Sequence, residues 1–217
     1  MTPTAAITSV ITIHDDVDPS DPSTAALRTK YLSFLQQLHD YVWSAREWEW
    51  TWKEATLSVL ANASSAALPS DFLSIGSQGA LHDPQGVRMR PVSRYVLERL
   101  LRGGGAGSRP AISVFSIWGG SVRLPFTATS TTAYTFFYRY RSPTLADGGI
   151  GAEMPIPDRY VNTVLIPGLI WKSMTKKNDA RETWGQQFQA GLAQMVSEEN
   201  PLNFAGMKMP MAIRGGW

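Results

Sequence analysis

The sequence contains no cysteine, and this absence excludes several kinds of site at once. Without a thiol, the 217-residue chain can form neither a disulfide nor a thiolate zinc site, and it has no cysteine nucleophile. Only three histidines are present, so nitrogen ligands for a metal are also few. The composition therefore disfavours a metalloenzyme, and we expect no cofactor.

Charge and long apolar runs are also scarce. Charged residues make up 18% of the chain, against about 25% in an average domain, whereas aromatic residues make up 11%. No run of 18 apolar residues is present, so no transmembrane helix is predicted. The first residues also lack the basic and apolar regions of a signal peptide. We expect an intracellularly made globular protein whose surface is largely covered by other chains.

Three segments have the apolar spacing of helices. Asp21–Ala45 is amphipathic, Pro157–Thr175 is apolar nearly all round with an expected kink at Pro167, and Asp179–Glu198 carries an apolar stripe. We expect the three to pack as one bundle. The predicted shared core consists of Leu27, Phe34, Leu38, Val164, Leu165, Trp184, Phe188 and Leu192.

Strand patterns are strongest in the middle of the chain. Ala111–Trp118 and Ser121–Leu124 are β-prone runs joined by two glycines, which predicts a hairpin, and Thr131–Tyr140 predicts a third strand. Ser93–Leu101 has the pattern of a short helix, and Ile7–Ile13 is strand-like. The predicted fold class is therefore mainly α with a β insertion (α+β). We place a helical bundle domain in residues 1–200, an inserted antiparallel β meander at about 87–142, and an extended C-terminal arm at 201–217.

Motifs that could carry catalysis or bind a cation are incomplete. His14 and the aspartates that follow it lack the glycine and glutamate of a calcium loop, so a solvated loop with a helix cap is favoured. No serine lies in a G-x-S-x-G elbow, and the glycines at 103–107 lack the lysine of a P-loop. The sequence therefore predicts a protein that is not an enzyme.

Four tryptophans lie within ten residues, at Trp43, Trp48, Trp50 and Trp52. Such rings could stack on sugars or on unpaired bases. Core or subunit contacts are the more common role for tryptophans at a helix exit, and we favour that interpretation. A carbohydrate- or nucleic-acid-binding module nevertheless stays open as the alternative function.

Positive charge is concentrated in one segment. Between residues 88 and 109 a single acid, Glu98, accompanies six arginines, a local net charge of +5: Arg88, Arg90, Arg94, Arg99, Arg102 and Arg109. Residues 1–54 are the opposite, with eight acids and four basic residues. The arginines could face nucleic-acid phosphates or the acids of a neighbouring subunit. We favour subunit pairing slightly, because one basic and one acidic end suit head-to-tail assembly.

The C-terminal segment is apolar but has no helical or strand period. Its large apolar residues are Leu202, Phe204, Met207, Met209, Met211, Ile213 and Trp217. Methionines adapt to irregular grooves and a tryptophan can fill a pocket, so we expect this segment to be covered in an assembly. It could instead fold back on its own bundle.

The order of these features resembles the head-to-tail adaptor proteins of tailed bacteriophages, especially short-tailed ones. The resemblance spans roughly residues 31–198. It is carried by the following motifs in this order: the helix ending in Trp43, Trp48-x-Trp50, Leu68-Pro-x-Asp71-Phe72, the Gly119-Gly120 hairpin, Phe137-Tyr138-Arg139-Tyr140, Pro155-x-Pro157-x-Arg159-Tyr160, and the two closing helices. Order and spacing together, rather than any single motif, make the resemblance specific.

The resemblance implies a structural virion protein of the head–tail neck, assembled in the host cytoplasm. Its partners would be other copies of itself in a twelvefold ring, the portal protein, a downstream tail (nozzle or stopper) protein, and DNA that passes non-specifically; no membrane is implied. The apolar C-terminal segment would then be an arm that docks between portal subunits. A phage tail-end enzyme is a weaker alternative.

Overall fold

The structure is a computed structural model that describes residues 1–15, 17–103, 113–148, 153–174 and 179–199. The chain divides into two compact units. One consists of Met1–Trp50 with Ser142–Trp217, and the other of Thr51–Arg141. We call them the helical unit and the sheet unit.

Helices and strands are distributed unequally between the units. Within the described residues the α-helices are α1 (Pro3–Val10), α2 (Ala25–Ala45), α3 (Arg94–Gly103), α4 (Asp158–Tyr160), α5 (Ile166–Ser173) and α6 (Asp179–Glu199). The strands are β1 (Trp52–Val59), β2 (Ser65–Ala67), β3 (Phe72–Ser74), β4 (Ala80–His82), β5 (Arg88–Pro91), β6 (Val114–Trp118), β7 (Ser121–Arg123) and β8 (Thr132–Tyr140). All the strands and α3 belong to the sheet unit.

The first helices of the helical unit have clear start signals. Asp21 accepts a hydrogen bond from the Ser23 N–H (2.8 Å) and so caps a short 3-10 turn, Pro22–Thr24, that leads into α2. The helix then buries a stripe at three- and four-residue steps: Tyr31, Leu35, Leu38, His39, Val42 and Trp43. The predicted helix at Asp21–Ala45 is present.

The N-terminal segment was predicted to be strand-like at Ile7–Ile13, and that prediction was wrong. Residues Pro3–Val10 form α1, and a wider π-helical turn continues to Asp15. Thr2 caps α1 by accepting the Ala5 N–H at 3.1 Å. The cap and the helical spacing of its buried side chains outweigh the β-branched composition.

The predicted helix at Pro157–Thr175 is present as three consecutive pieces. A π-helical turn, Val161–Leu165, joins α4 to α5, and Pro167 lies in the first turn of α5. Because proline has no N–H to donate, a change in helical geometry just before it is the expected accommodation. Most residues from Tyr160 to Ile170 are buried.

These helices share one apolar core. Four of the eight residues predicted for it, Leu38, Val164, Leu165 and Phe188, are buried there, and the other four pack against it partly exposed: Leu27, Phe34, Trp184 and Leu192. The crossing of α6 with the π turn is close. A Cβ on Gly191 would overlap the carbonyl oxygen of Thr163.

The sheet unit is one eight-stranded mixed sheet. The strands follow the order β1-β8-β4-β5-β6-β7-β2, and β3 also pairs with β8. β1 and β8 pair antiparallel along their length, from Trp52 opposite Arg139 to Val59 opposite Thr132, whereas β5 and β6 are parallel. The buried side chains of β8 are every second residue: Tyr134, Phe136, Tyr138 and Tyr140.

The predicted fold class, a mainly α bundle with an inserted antiparallel meander, was wrong. The sheet already begins at Trp52, contains a parallel pair, and does not follow chain order. Four of its strands, β2, β3, β4 and β7, have only three residues, which is too short for an alternating pattern to be recognised. The Gly119-Gly120 hairpin is present, and both glycines have positive φ, as a type I′ turn requires.

Candidate functional site

The arginine segment begins on β5, where the strand alternation separates two arginines from the core. Met89 is buried, and Arg88 and Arg90 on either side of it are exposed on the opposite face. Arg88 also donates a long hydrogen bond, 3.4 Å, to the carbonyl of Gly79. The strand therefore presents two guanidinium groups on one face.

The segment continues on α3, which begins directly after Ser93. The Ser93 carbonyl accepts the Leu97 N–H, and its hydroxyl lies 3.4 Å from the Val96 N–H. Leu97 is fully buried and anchors the helix, whose nearest strand is β6. The three arginines of this helix are exposed: Arg94, Arg99 and Arg102.

Of these arginines, Arg94 has two partners, a carboxylate and an aromatic ring. Its Nε donates to Glu98 at 2.6 Å, and this hydrogen bond lowers the pKa of the Glu98 carboxyl. Its guanidinium carbon also lies 5.5 Å from the centre of the Trp118 ring. Arg99 and Arg102 are exposed and form no ion pair with another described residue, although the charge of Arg102 also helps to lower the pKa of Glu98.

Trp118 and Arg123 belong to the same surface, and sequence reasoning missed them. The Arg123 guanidinium lies 4.6 Å from the Trp118 ring centre, so this half-buried indole has cations on it from both α3 and β7. In the sequence, Trp118 and Arg123 both lie outside the arginine segment at residues 88–109. The hairpin register pairs Trp118 with Ser121, two residues before Arg123. Only this register could have indicated that the Arg123 side chain contacts the Trp118 ring.

The outer surface of α3 is apolar as well as basic, which was also not predicted. Tyr95 is 73% exposed, Leu101 45% and Val96 42%. Large apolar side chains on a surface helix that also carries arginines are typical of protein interfaces. We call this helix surface, with Arg88 and Arg90 on β5, the arginine face.

Charge is divided between the two units. The sheet unit has ten basic and four acidic residues, a net charge of +6, whereas the helical unit has ten basic and fourteen acidic residues, a net charge of −4. Several acids of the helical unit are exposed, among them Asp18, Asp21, Asp40 and Glu49. The two units are therefore electrostatically complementary.

Comparison with protein families identifies the chain. The SU10 adaptor protein family matches residues 1–205. The chain belongs to this family. Its members are phage head–tail adaptors, so the protein is a structural component of the bacteriophage neck and its partners are portal and tail proteins. No curated protein matches the chain.

Two groups of predicted site residues lie outside the described residues of this adaptor. One is Arg109 of the arginine segment. The other is the predicted portal-binding arm: Phe204, Met207, Met209, Met211, Ile213 and Trp217. The structure does describe the helix before the arm, and it shows how that helix ends.

The end of α6 is held by two residues of α4. The Tyr160 hydroxyl donates to Glu198 and Glu199, both at 3.0 Å, and Arg159 pairs with Glu199 at 2.9 Å. Burial and these carboxylates raise the pKa of Tyr160. Acids are unfavourable at a helix C-terminus because they meet its negative dipole end, so these contacts offset that repulsion.

Two of the four clustered tryptophans are core residues, and the other two are partly exposed. Trp43 and Trp48 are each only 2% exposed, and Trp48 donates its indole N–H to the Val42 carbonyl at 2.6 Å. A 3-10 turn, Glu49–Thr51, interrupts the segment, so Trp48, Trp50 and Trp52 do not form one strand face. Trp50 stacks on Trp48 with ring centres 5.8 Å apart.

His39 is fully buried beside these rings and stacks on Trp43. Its Nδ1 lies 2.8 Å from the Ser142 hydroxyl, which itself donates to Asp40. Because the serine proton is used there, Nδ1–H must donate to Ser142, the reverse of a serine nucleophile's hydrogen bond to its base. Burial lowers the pKa of His39 to about 4 and keeps the ring neutral.

The acidic loop before α2 is used for local hydrogen bonding. Asp15 accepts the Tyr31 hydroxyl at 2.7 Å, and Asp18 accepts the N–H and hydroxyl of Ser20. Among the described residues no group of three histidine or acidic side chains is placed to hold a metal ion. In the same residues no helix is both long and apolar enough to cross a membrane.

Proposed function

We propose that this adaptor forms a closed ring, of twelve copies, that joins the portal to a downstream nozzle or stopper protein and continues the DNA channel. Family membership supplies the head–tail role. The observation that carries the ring is the division of charge, +6 on the sheet unit and −4 on the helical unit. Contacts between two different surfaces of one chain are heterologous, and they close into a ring when the rotation between copies permits.

The ring would assemble in the host cytoplasm and remain in the virion neck. DNA would pass through it without base-specific contacts. The attachment to the portal would come from the C-terminal arm, residues 201–217, which follows α6 directly and is rich in methionine and aromatic side chains. Such side chains fill irregular grooves between subunits well.

A carbohydrate- or nucleic-acid-binding module built on the tryptophans is less well supported. A stacking platform needs an exposed ring face. The burial of Trp43 and Trp48 leaves no such face on these two rings. The weaker alternative of a tail-end enzyme has no support from the buried His39, because its hydrogen bonds run opposite to those of a catalytic serine and histidine.

The ring is tested by measuring mass with and without the cognate portal. Size-exclusion chromatography with light scattering should show a complex with twelve adaptor copies on each portal, and rotary averages of negatively stained particles should show a central hole. Raising the salt concentration should release adaptor from the ring, because exposed charge pairs are screened. An adaptor that stays monomeric and unbound beside an intact portal would contradict the proposal.

A further inference from the structure

The arginine face leaves one question open, which is whether α3 contacts DNA or protein. The helix is anchored from one side by Leu97. Tyr95, Arg99 and Arg102 follow at steps of four and three residues, so they share the opposite, outward face. Arg99 and Arg102 form no ion pair with other described residues, and Arg102 acts only through its charge on Glu98. Tyr95 is 73% exposed, more than any other large apolar side chain in the described part of the chain.

The apolar side chains favour a protein as the occupant. DNA phosphates are matched by arginine and lysine, but they offer nothing to Leu101 or Val96, which would remain in water. In a protein interface these side chains are desolvated, and tyrosine and arginine are the residue types that most often dominate the binding energy there. A basic helix with exposed Tyr95, Val96 and Leu101 therefore fits a protein partner better than a DNA channel wall.

The helical unit of a second copy has the complementary chemistry. Its net charge is −4, and it exposes acids on both sides of α2, including Asp21 and Glu49. It also exposes apolar side chains, with Ile13 61% and Tyr41 38% accessible. The helical unit therefore exposes both carboxylates and apolar groups, the two kinds of group that match the guanidinium groups and apolar side chains of α3.

We infer that α3 is the docking helix of the ring, and that it binds the acidic helical unit of the neighbouring copy. This inference rests on the proposed ring and names the surface that builds it. Arg99 and Arg102 pair with the neighbour's carboxylates, while Tyr95 on the same outward face supplies most of the desolvated contact and Leu101, on the flank nearer Leu97, extends it. DNA then passes the ring without touching α3.

Because the chain has no cysteine, a single reactive thiol can be placed on this helix. Val96→Cys keeps both Tyr95 and Leu101, and Val96 is 42% exposed on the same helix. This variant is labelled with a benzophenone maleimide, assembled on the portal with an equal amount of isotope-labelled adaptor, and irradiated. The expected products are crosslinks between the probe and peptides of residues 1–50 or 142–199 in another copy, recognised by their mixed isotopes. The matched control is Leu60→Cys, since Leu60 is also in the sheet unit and 63% exposed. Its probe should give few such crosslinks.

Crosslinks from position 96 to DNA, portal or tail protein would overturn the inference, as would an assembled ring in which that probe captures no neighbour. These results leave the ring intact and so differ from failure of the proposed function, in which unmodified adaptor forms no ring on the portal.

Side-chain removal gives a second, independent measurement. Tyr95→Ala with Leu101→Ala should raise the concentration needed for ring assembly at least about tenfold, as expected when interface anchors are lost. The control, Leu60→Ala with Leu73→Ala, removes two apolar side chains of comparable exposure from the same unit and should have little effect. Circular dichroism and thermal melting verify that both variants are folded. Equal assembly by a folded Tyr95/Leu101 variant would overturn the inference.

Charge reversal distinguishes the two roles considered for the arginines, which are binding a neighbouring subunit and lining a DNA channel. Arg99→Glu with Arg102→Glu should impair assembly to a similar extent. If that variant instead assembled normally and the particles lost packaged DNA, α3 would be a channel wall and the inference would be wrong.

Discussion

Phe188 lies where α6 meets α5, and it is 1% exposed. Its ring stacks on Trp171 with centres 5.8 Å apart, and Gly168 packs directly against it. We expect Phe188→Ala to lower the free energy of unfolding by about 3–5 kcal/mol, because neighbours this tightly packed cannot fill the space. Reversible urea unfolding measures the loss. Gln187→Ala, exposed on the same helix, should change it by less than about 0.5 kcal/mol, and a Phe188→Ala loss below about 1 kcal/mol would contradict the packing.

His39 should make the stability of the adaptor depend on pH. Its pKa is about 4 in the folded protein and 6.5 when the chain is unfolded. Between these values the unfolded chain binds the proton more readily, so stability is complete above pH 6.5 and falls as the pH drops towards 4, by up to about 3 kcal/mol. Asp40 opposes this shift but does not cancel it.

The measurement is the free energy of unfolding at pH 7 and pH 5, compared with a His39→Gln variant. Gln has no group that titrates in this range but can still donate to Ser142. The wild-type protein should lose more stability than the variant over this interval. Parallel curves would mean that His39 is readily protonated in the folded state.

Single residues also show where sequence reasoning stops. The six arginines were recognised as a cluster because they are close in the sequence, and five of them are exposed as a surface requires. The partners that complete the surface were missed, since the sheet brings Trp118 against Arg94 of α3 and Arg123 against Trp118 from strands that lie farther along the chain. Local charge density can be read from a sequence, whereas contacts between distant elements depend on topology.

At the scale of elements, α6 is positioned by a glycine contact. Gly191 has no room for a Cβ because the Thr163 carbonyl lies against it. In an exposed helix, glycine to alanine raises stability by about 1 kcal/mol. Here we expect the opposite sign for Gly191→Ala, a loss of about 1–3 kcal/mol, because overpacking forces the helices apart.

Thermal and urea unfolding of Gly191→Ala decide between the two signs. Gly86→Ala is not a suitable control, because its φ of +80° adds strain of its own. Gln189→Ala, exposed on α6, is the better reference and should be nearly neutral. A gain in stability for Gly191→Ala would show that the crossing of α6 and the π turn is looser than described.

Long elements were predicted well and short ones poorly. α2, α6 and β8 each carry their periodicity over nine or more residues, and all three are close to the predicted positions. α1 was misread because Ile7–Ile13, in which six of the seven residues are β-branched, fits a strand and a helix equally well. The sheet was underestimated because β2, β3 and β4 take their partners from β7 and β8, far along the chain. Pairing of that kind leaves no local pattern.

For the whole molecule, the adaptor role follows from the family, whereas the ring and its attachment to the portal are proposals that rest on charge and on the apolar arm. The order of motifs in the sequence predicted that family, and the match over residues 1–205 confirmed it. The arm remains a prediction. Most of its apolar residues, from Met207 onward, lie beyond the matched region, so portal attachment through them would be a property of this chain rather than one inferred from the match.

Truncation after Asn200 tests the arm. The contacts that hold the end of α6, from Tyr160 and Arg159 to Glu198 and Glu199, all remain in the shortened chain. We therefore expect its melting temperature to stay close to that of the full protein. If the proposed arm is right, attachment to portal should be lost, because the methionines and Trp217 that would fill the grooves between portal subunits are gone.

Co-sedimentation with portal rings measures attachment. A control chain in which Phe204, Met207, Met209, Met211, Ile213 and Trp217 are all replaced by serine keeps the arm's length and should fail to attach as well, since apolar contacts rather than chain length supply the binding. Normal attachment by the truncated protein would refute the arm. A truncated protein that loses its fold would instead show that residues 201–217 pack on their own helical unit, the alternative that the apolar composition also allows.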